Sequence, residues 1–238
     1  MRRAGIIAGV VALATAAPAF AEGRFQVEPT RIDLASAAPS GAVTVTNHGQ
    51  SALRLQASVF RWTQDASGAM QLTAAPEMVV RPALFEVQPG KARTVRVGTT
   101  ATAAAVEQSY RVFIEELPDR TATQAAGIHV LTRIGVPVFL APRVAKVAIE
   151  LAAVNDGGKP AVIVKNPGTL HVKLGAVKLR AADGGWEKTA AGWYVLPGDA
   201  RRFPIEAGKA CAAGDRWIAE AIDETGARWA SAPSPCER

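Results

Sequence analysis

Beyond its first 21 residues this chain of 238 carries no sustained apolar stripe at i, i+3, i+4 spacing. Instead, short runs alternate apolar and polar residues, and clusters of Gly, Pro, Asn and Asp separate them. Amphipathic helices need the first pattern and half-buried strands produce the second, so the chain is confined to all-β architectures. Val43 and Val45, then Leu53, Leu55, Ala57 and Val59, lie at period two, with Thr44, Thr46, Arg54, Gln56 and Ser58 between them. These are strands with one wet face. The phase breaks at Phe60-Arg61-Trp62, which predicts a bulge or the end of the buried run.

Val95 and Val97 alternate with Thr94 and Arg96, and Tyr110, Val112 and Ile114 with Arg111, Phe113 and Glu115. Roughly seven short strands at this spacing fit an immunoglobulin-like sandwich, and residues 22–142 form the first domain on that reading. Pro142-Arg143 marks a hinge. The pattern then restarts with VAKVAIEL, a turn at Asn155 to Gly158, AVIVKNPG, HVKLGAVKLR, WYVLPGD, RRFPI and WIAEAIDETGA. Residues 143–238 are accordingly a second β-sandwich domain.

Residues 1–21 read as an export signal. Arg2 and Arg3 form its basic start, Gly5 to Thr15 its apolar stretch and Ala19-Phe20-Ala21 its cleavage site. The apolar stretch is too short to span a bilayer and no later window suits membrane insertion. Without the two leader arginines, 25 Lys+Arg face 21 Asp+Glu, a net of +4. The arginines sit singly between strand residues, as at Arg93, Arg96, Arg111 and Arg133, whereas nucleic-acid binding asks for a clustered basic footprint.

Cys211 and Cys236 are the two cysteines. In an exported chain such a pair is most simply one disulfide, here within the second domain. His48, His129 and His171 lack metal-ligand spacing to either cysteine, so neither zinc nor another cofactor is expected. No G-x-S-x-G elbow, H-E-x-x-H helix, P-loop or G-x-G-x-x-G is present, and each histidine reads as an ordinary strand or loop residue. Glu115-Glu116 and Asp223-Glu224 are adjacent on strands, so their carboxylates point to opposite faces. An enzyme is not expected.

In order along the chain come P-T-R-I (Pro29 to Ile32), T-N-H-G (Thr46 to Gly49), Pro89-Gly90 before T-V-R-V, E-L-P after a Y-R strand, and P-V-F (Pro137 to Phe139). Lys165-Asn166-Pro167, Leu196-Pro197-Gly198 and Ile222 to Gly226 follow in the second half. This series resembles the periplasmic chaperones of the chaperone–usher pathway, with strand features closer to their archaic branch. The resemblance implies two immunoglobulin-like sandwiches in a boomerang, a periplasmic location, pilin subunits and an outer-membrane usher as partners. It leaves open self-association through strand G. The alternative is a secreted or periplasmic β-sandwich binding module for another ligand.

In that family the last strand of the first domain is lent to a subunit lacking its own final strand, covering an unpaired edge and plugging an open core. Ile128, Val130, Thr132, Ile134 and Val136 lie at period two and are the expected donor row; the same alternation would arise if the row faced the chain's own core. Asp119 to Gly127 resembles the loop before it. The best-known members grip the subunit's terminal carboxylate with a basic residue in strand A and a lysine in strand G. Arg31 matches the first, but the second position falls around Gly135 to Pro137, so Arg111 or Arg133 is the candidate replacement. Glu107 and Glu224 match acidic positions of the family's interdomain charge cluster. Ala141 stands where an arginine is usual, with Arg143 as a substitute.

Overall fold

The computed structural model describes residues 25–35, 39–118, 130–156, 159–206 and 214–236. The export signal, the segment from Asp119 to His129 including Ile128, and Cys211 lie outside the described residues. In the first sandwich the strands are β1 (Phe25–Glu28), β2 (Ile32–Leu34), β3 (Ser40–Asn47), β4 (Leu53–Gln64), β5 (Met70–Ala74), β6 (Met78–Arg81), β7 (Leu84–Val87), β8 (Ala92–Thr99), β9 (Gln108–Glu116) and β10 (Arg133–Leu140). One sheet runs β1-β3-β8-β6 and the other β2-β10-β9-β4-β5, with β7 also on β4. The chain changes sheets between β1 and β2, where the Glu28-Pro29 peptide is cis. The alternating valines and leucines meet between the sheets, and Val43, Val45, Leu55, Val112 and Ile114 are wholly buried.

The second sandwich is built from β11 (Glu150–Asp156), β12 (Lys159–Lys165), β13 (Val172–Ala181), β14 (Glu187–Ala191), β15 (Tyr194–Val195), β16 (Ala200–Pro204), β17 (Arg216–Asp223), β18 (Arg228–Ala230) and β19 (Ser234–Pro235). Its sheets are β11-β12-β16 and β14-β13-β17-β18, with β15 on β13 and β19 on β17. Val162, Val164, Val177, Leu179 and Ala219 are wholly buried at its centre. Cys236 packs against this core, and its backbone N–H donates to the Asp215 carbonyl at 2.9 Å.

Both sandwiches use one turn device, and the two N-containing motifs of the sequence supply it. The Asn47 side chain is fully buried; its amide donates to the carbonyls of Ser51 and Val87, each at 2.9 Å, while its Oδ1 accepts from Gly49 N–H. Asn166, equally enclosed, donates to Leu170 and Val195 and accepts from Gly168 N–H. In each case the following Pro-Gly turn docks on the asparagine's own carbonyl, through Gly90 N–H and Gly198 N–H. These glycines have φ of 68° and 79°, a conformation that favours glycine. An asparagine is suited to this because one planar group both donates twice and accepts.

The phase break in β4 has a structural cause. The strand stays continuous and in register with β9 as far as Arg61↔Tyr110, so there is no bulge in that ladder. Leu53, Leu55 and Ala57 face the first core, whereas Trp62 and Gln64 are buried on the opposite face. There, Trp62 joins Phe139, Tyr194 and Leu196 in a small separate core. The same division runs through β10: Val136, Val138 and Leu140 enter the first core, and Phe139 enters this one. The outer face of the β10-β9-β4 sheet is thus the face presented to the second sandwich.

Candidate functional site: strand β10 and the basic cleft

Strand β10 pairs with β9 along its whole length, from Arg133↔Glu115 to Leu140↔Gln108. On its other side it pairs with β2 only at Val138↔Ile32 to Leu140↔Leu34, in parallel. Among the described residues, the outer edge from Arg133 to Pro137 therefore has no strand partner. Just before it, Thr132 is tied to the sheet by its carbonyl, which accepts from Glu116 N–H at 2.9 Å.

The donor row divides along this segment. Val136 is 1% exposed inside the first core, Ile134 is partly buried at its margin, and Val130 is 78% exposed, with Leu131 beside it at 46%. Val136 thus belongs to the chain's own sandwich and is not free to enter another protein, which corrects its place in the expected row. The period-two pattern concealed this because one unbroken row leaves the core and continues into solvent. Alternation records which face a residue is on, not where the neighbouring sheet stops.

On the outer face, Arg111 lies across from Pro137 in the β9–β10 ladder. Its guanidinium stands 4.6 Å from the Trp62 ring and 5.8 Å from that of Trp193. Its Nε is buried with no hydrogen-bond partner among the described residues, and burial pushes the guanidinium below its ordinary pKa. Room for it comes from Gly135, where a Cβ would meet Phe113 Cε1 at 2.9 Å and Arg111 Nη1 at 3.3 Å. Arg111 thus places a cation beside Gly135 to Pro137 from the adjacent strand. Arg133 differs: it forms an ion pair with Glu115 and its guanidinium lies 3.8 Å from the centre of the Phe113 ring.

Arg31, between β1 and β2, is half-exposed. Its Nε donates to Asp33 at 3.0 Å and its Nη1 to Glu224 of the second domain at 2.7 Å. The other Glu224 oxygen accepts from Lys173 Nζ at 2.9 Å. Hydrogen bonding from Lys173, reinforced by Arg31, holds the Glu224 carboxyl below its usual range. The turn that presents Glu224 is fixed by Asp223, whose Oδ1 accepts from Thr225 N–H, Thr225 O–H and Ala227 N–H. Tyr194 lies among these groups. Burial raises its phenol, and Lys173, Glu224, Arg31 and Arg111 all act on it electrostatically. The cleft thus gathers three cations around one tyrosine.

The two sandwiches meet beside this cleft. Gln64 donates to the Tyr194 carbonyl and accepts from Leu196 N–H, both at 2.9 Å. Glu107 accepts from His171 Nδ1 at 2.8 Å and from the His171 N–H at 3.1 Å, and the imidazole stacks on Phe139 with centroids 3.6 Å apart. Arg201 donates to the Gly68 carbonyl. The interdomain charge pattern implied by the resemblance is consequently redistributed. Glu107 pairs with His171, Glu224 pairs with Arg31 and Lys173, and Arg143 is exposed with no ion pair among the described residues. His171 and Lys173 had no sequence signal, because neither sits in a motif and their partners are 64 and 51 residues away.

Two immunoglobulin-like sandwiches with a free-edged strand beside a basic interdomain cleft define the architecture of a two-domain assembly chaperone. The sequence pattern of the family described as "Pili and flagellar-assembly chaperone, PapD N-terminal domain" matches residues 24–146, and the chain belongs to that family. It is a periplasmic pilus-assembly chaperone. No curated protein matches the sequence. Among solved structures, the chain is similar to one from the pre-assembly complex of the chaperone CsuC with the tip adhesion subunit CsuE of archaic Csu pili from Acinetobacter baumannii. The identity is 20% over 88% of this chain and 97% of that chain, with a TM-score of 0.65. The YadV chaperone is 16% identical over 89% and 100% of the two chains, with a TM-score of 0.64. A chain from the Salmonella enterica SafA pilin–SafB chaperone complex is 18% identical over 90% and 96%, with a TM-score of 0.60. At these identities the likeness is one of fold: two sandwiches in a boomerang.

Proposed function

We propose that this chaperone, its leader 1–21 removed on export, captures pilin subunits by lending the segment from Ile128 to Ile134 as a strand and then passes them to an outer-membrane usher. The observation that carries the reading is the unpartnered edge of β10, continued outward by the exposed Val130. Main-chain groups on that edge supply the pairing, and alternate side chains of the segment fill the subunit's open core. Burying Val130 there contributes about 1.5–3 kcal/mol before ordering costs. Val136 anchors the lent strand in the donor's own sandwich.

Arg111 and Arg31 form the carboxylate anchor in this reading. A one-residue slip of a lent strand would turn every plugging side chain to the wrong face, so a fixed charge contact is needed to set the register. Arg111 is favoured over Arg133 because its guanidinium has no carboxylate partner among the described residues. A Cys211–Cys236 bridge, closing the end of the second sandwich, completes the proposal.

Co-expression with a pilin tests it. Val130→Asp is expected to leave the free chaperone folded and to lose the soluble one-to-one complex. Val136→Asp, by contrast, should unfold the first domain, because a carboxylate would enter a dry core. A Val130→Asp variant that captures subunit as well as the wild type contradicts strand donation through this segment.

A further inference from the structure

We propose that Glu224 is a built-in occupant of the carboxylate anchor, so that subunit capture proceeds by carboxylate exchange at Arg31 while Lys173 retains the displaced Glu224. The inference rests on the anchor reading given above. Its basis is the division of labour around one side chain. Glu224 uses one oxygen on Arg31 of the first domain, at 2.7 Å, and the other on Lys173 of its own domain, at 2.9 Å.

The two contacts are unequal in kind. Lys173 holds Glu224 twice, since its carbonyl also accepts from Glu224 N–H at 3.1 Å. The turn behind Glu224 is fixed by the three hydrogen bonds to Asp223. Arg31 touches Glu224 only through the ion pair across the domain boundary, and its own second carboxylate, Asp33, binds the guanidinium through Nε. Nη1 is therefore the position an incoming carboxylate would take.

Such an exchange leaves no charge bare. The arriving carboxylate meets Arg31 and the nearby Arg111, whose Nε has no hydrogen-bond partner among the described residues, while Glu224 keeps its ammonium partner. An arriving group that is neutral gains nothing to offset the loss of Glu224 from Arg31. The arrangement consequently selects for a ligand that carries a free carboxylate at the correct register.

The test is the release of a labelled pilin from its purified complex with this chaperone into an excess of unlabelled wild-type chaperone. Glu224→Gln removes the competitor and is expected to slow release about threefold, as befits a half-exposed ion pair. Lys173→Met is expected to hasten release, since the displaced Glu224 then lacks a cation, and adding Glu224→Gln should cancel that loss. If Glu224 merely braces the two domains, Glu224→Gln hastens release and lowers the melting temperature, which overturns the proposal. Unchanged release by Glu224→Gln, with capture still lost in Arg31→Ala, overturns it and leaves the anchor standing. Wild-type capture by Arg31→Ala overturns the anchor and this inference together.

Discussion

Arg111 is costly to the fold, and the proposed function gives it a task. Removing a guanidinium from water without giving it a carboxylate is unfavourable, and stacking against Trp62 offsets this only in part. Under the proposed function, a subunit's carboxylate would resolve this imbalance. Arg111→Met is therefore expected to hold or raise the free protein's stability, by up to about 1 kcal/mol, while subunit capture falls at least tenfold. Thermal melting and pull-down yield, measured together, check this. Arg133→Ala should keep most of its capture, since Arg133 is already engaged by Glu115 and Phe113. Equal losses from the two arginines would undo the assignment of roles.

At the scale of elements, the sequence made the strands legible and their extent less so. Val43, Val45, Leu53 and Leu55 face inward as the period-two rule requires. The rule could not show that β4 serves two cores on opposite faces, because Trp62 and Gln64 are buried by Tyr194 and Leu196, more than 100 residues on. It was equally silent on where the β10 row leaves the sandwich. In the cleft, Arg31 is marked by its motif, whereas the sequence alone does not separate Arg111 from Arg133, whose surroundings come from other strands. Lys173 was illegible, since it is defined by a partner in a distant turn. The asparagine turns, in contrast, were visible as T-N-H-G and K-N-P-G, although their symmetry emerges only from the hydrogen bonds. Asn47→Ala strips two carbonyls and one amide of a buried partner and is expected to cost the first domain about 2–4 kcal/mol. Asn166→Ala should cost the second domain a similar amount. Chemical denaturation followed with domain-specific probes checks both, and each loss should appear mainly in the domain that holds the substitution.

At the scale of the whole molecule, the joint and the lent strand are parts of one design. The core of Trp62, Phe139, Tyr194 and Leu196, the Gln64 bridge and the Glu107–His171 pair hold the second sandwich against the outer face of the β10-β9-β4 sheet. This fixes Tyr194, Lys173 and Glu224 beside Arg111 and Arg31, so the cluster of cations proposed as the carboxylate anchor forms only when both domains are in place. The edge of β10 left unpaired among the described residues opens beside it, and a strand laid along that edge would run toward the cleft. Amide hydrogen exchange across β10 and the residues before it, with and without a bound pilin, tests the central claim most directly. Outward-facing amides between Val130 and Gly135 should become strongly protected when the subunit binds. Unchanged exchange there, with new protection confined to another surface, would contradict strand donation.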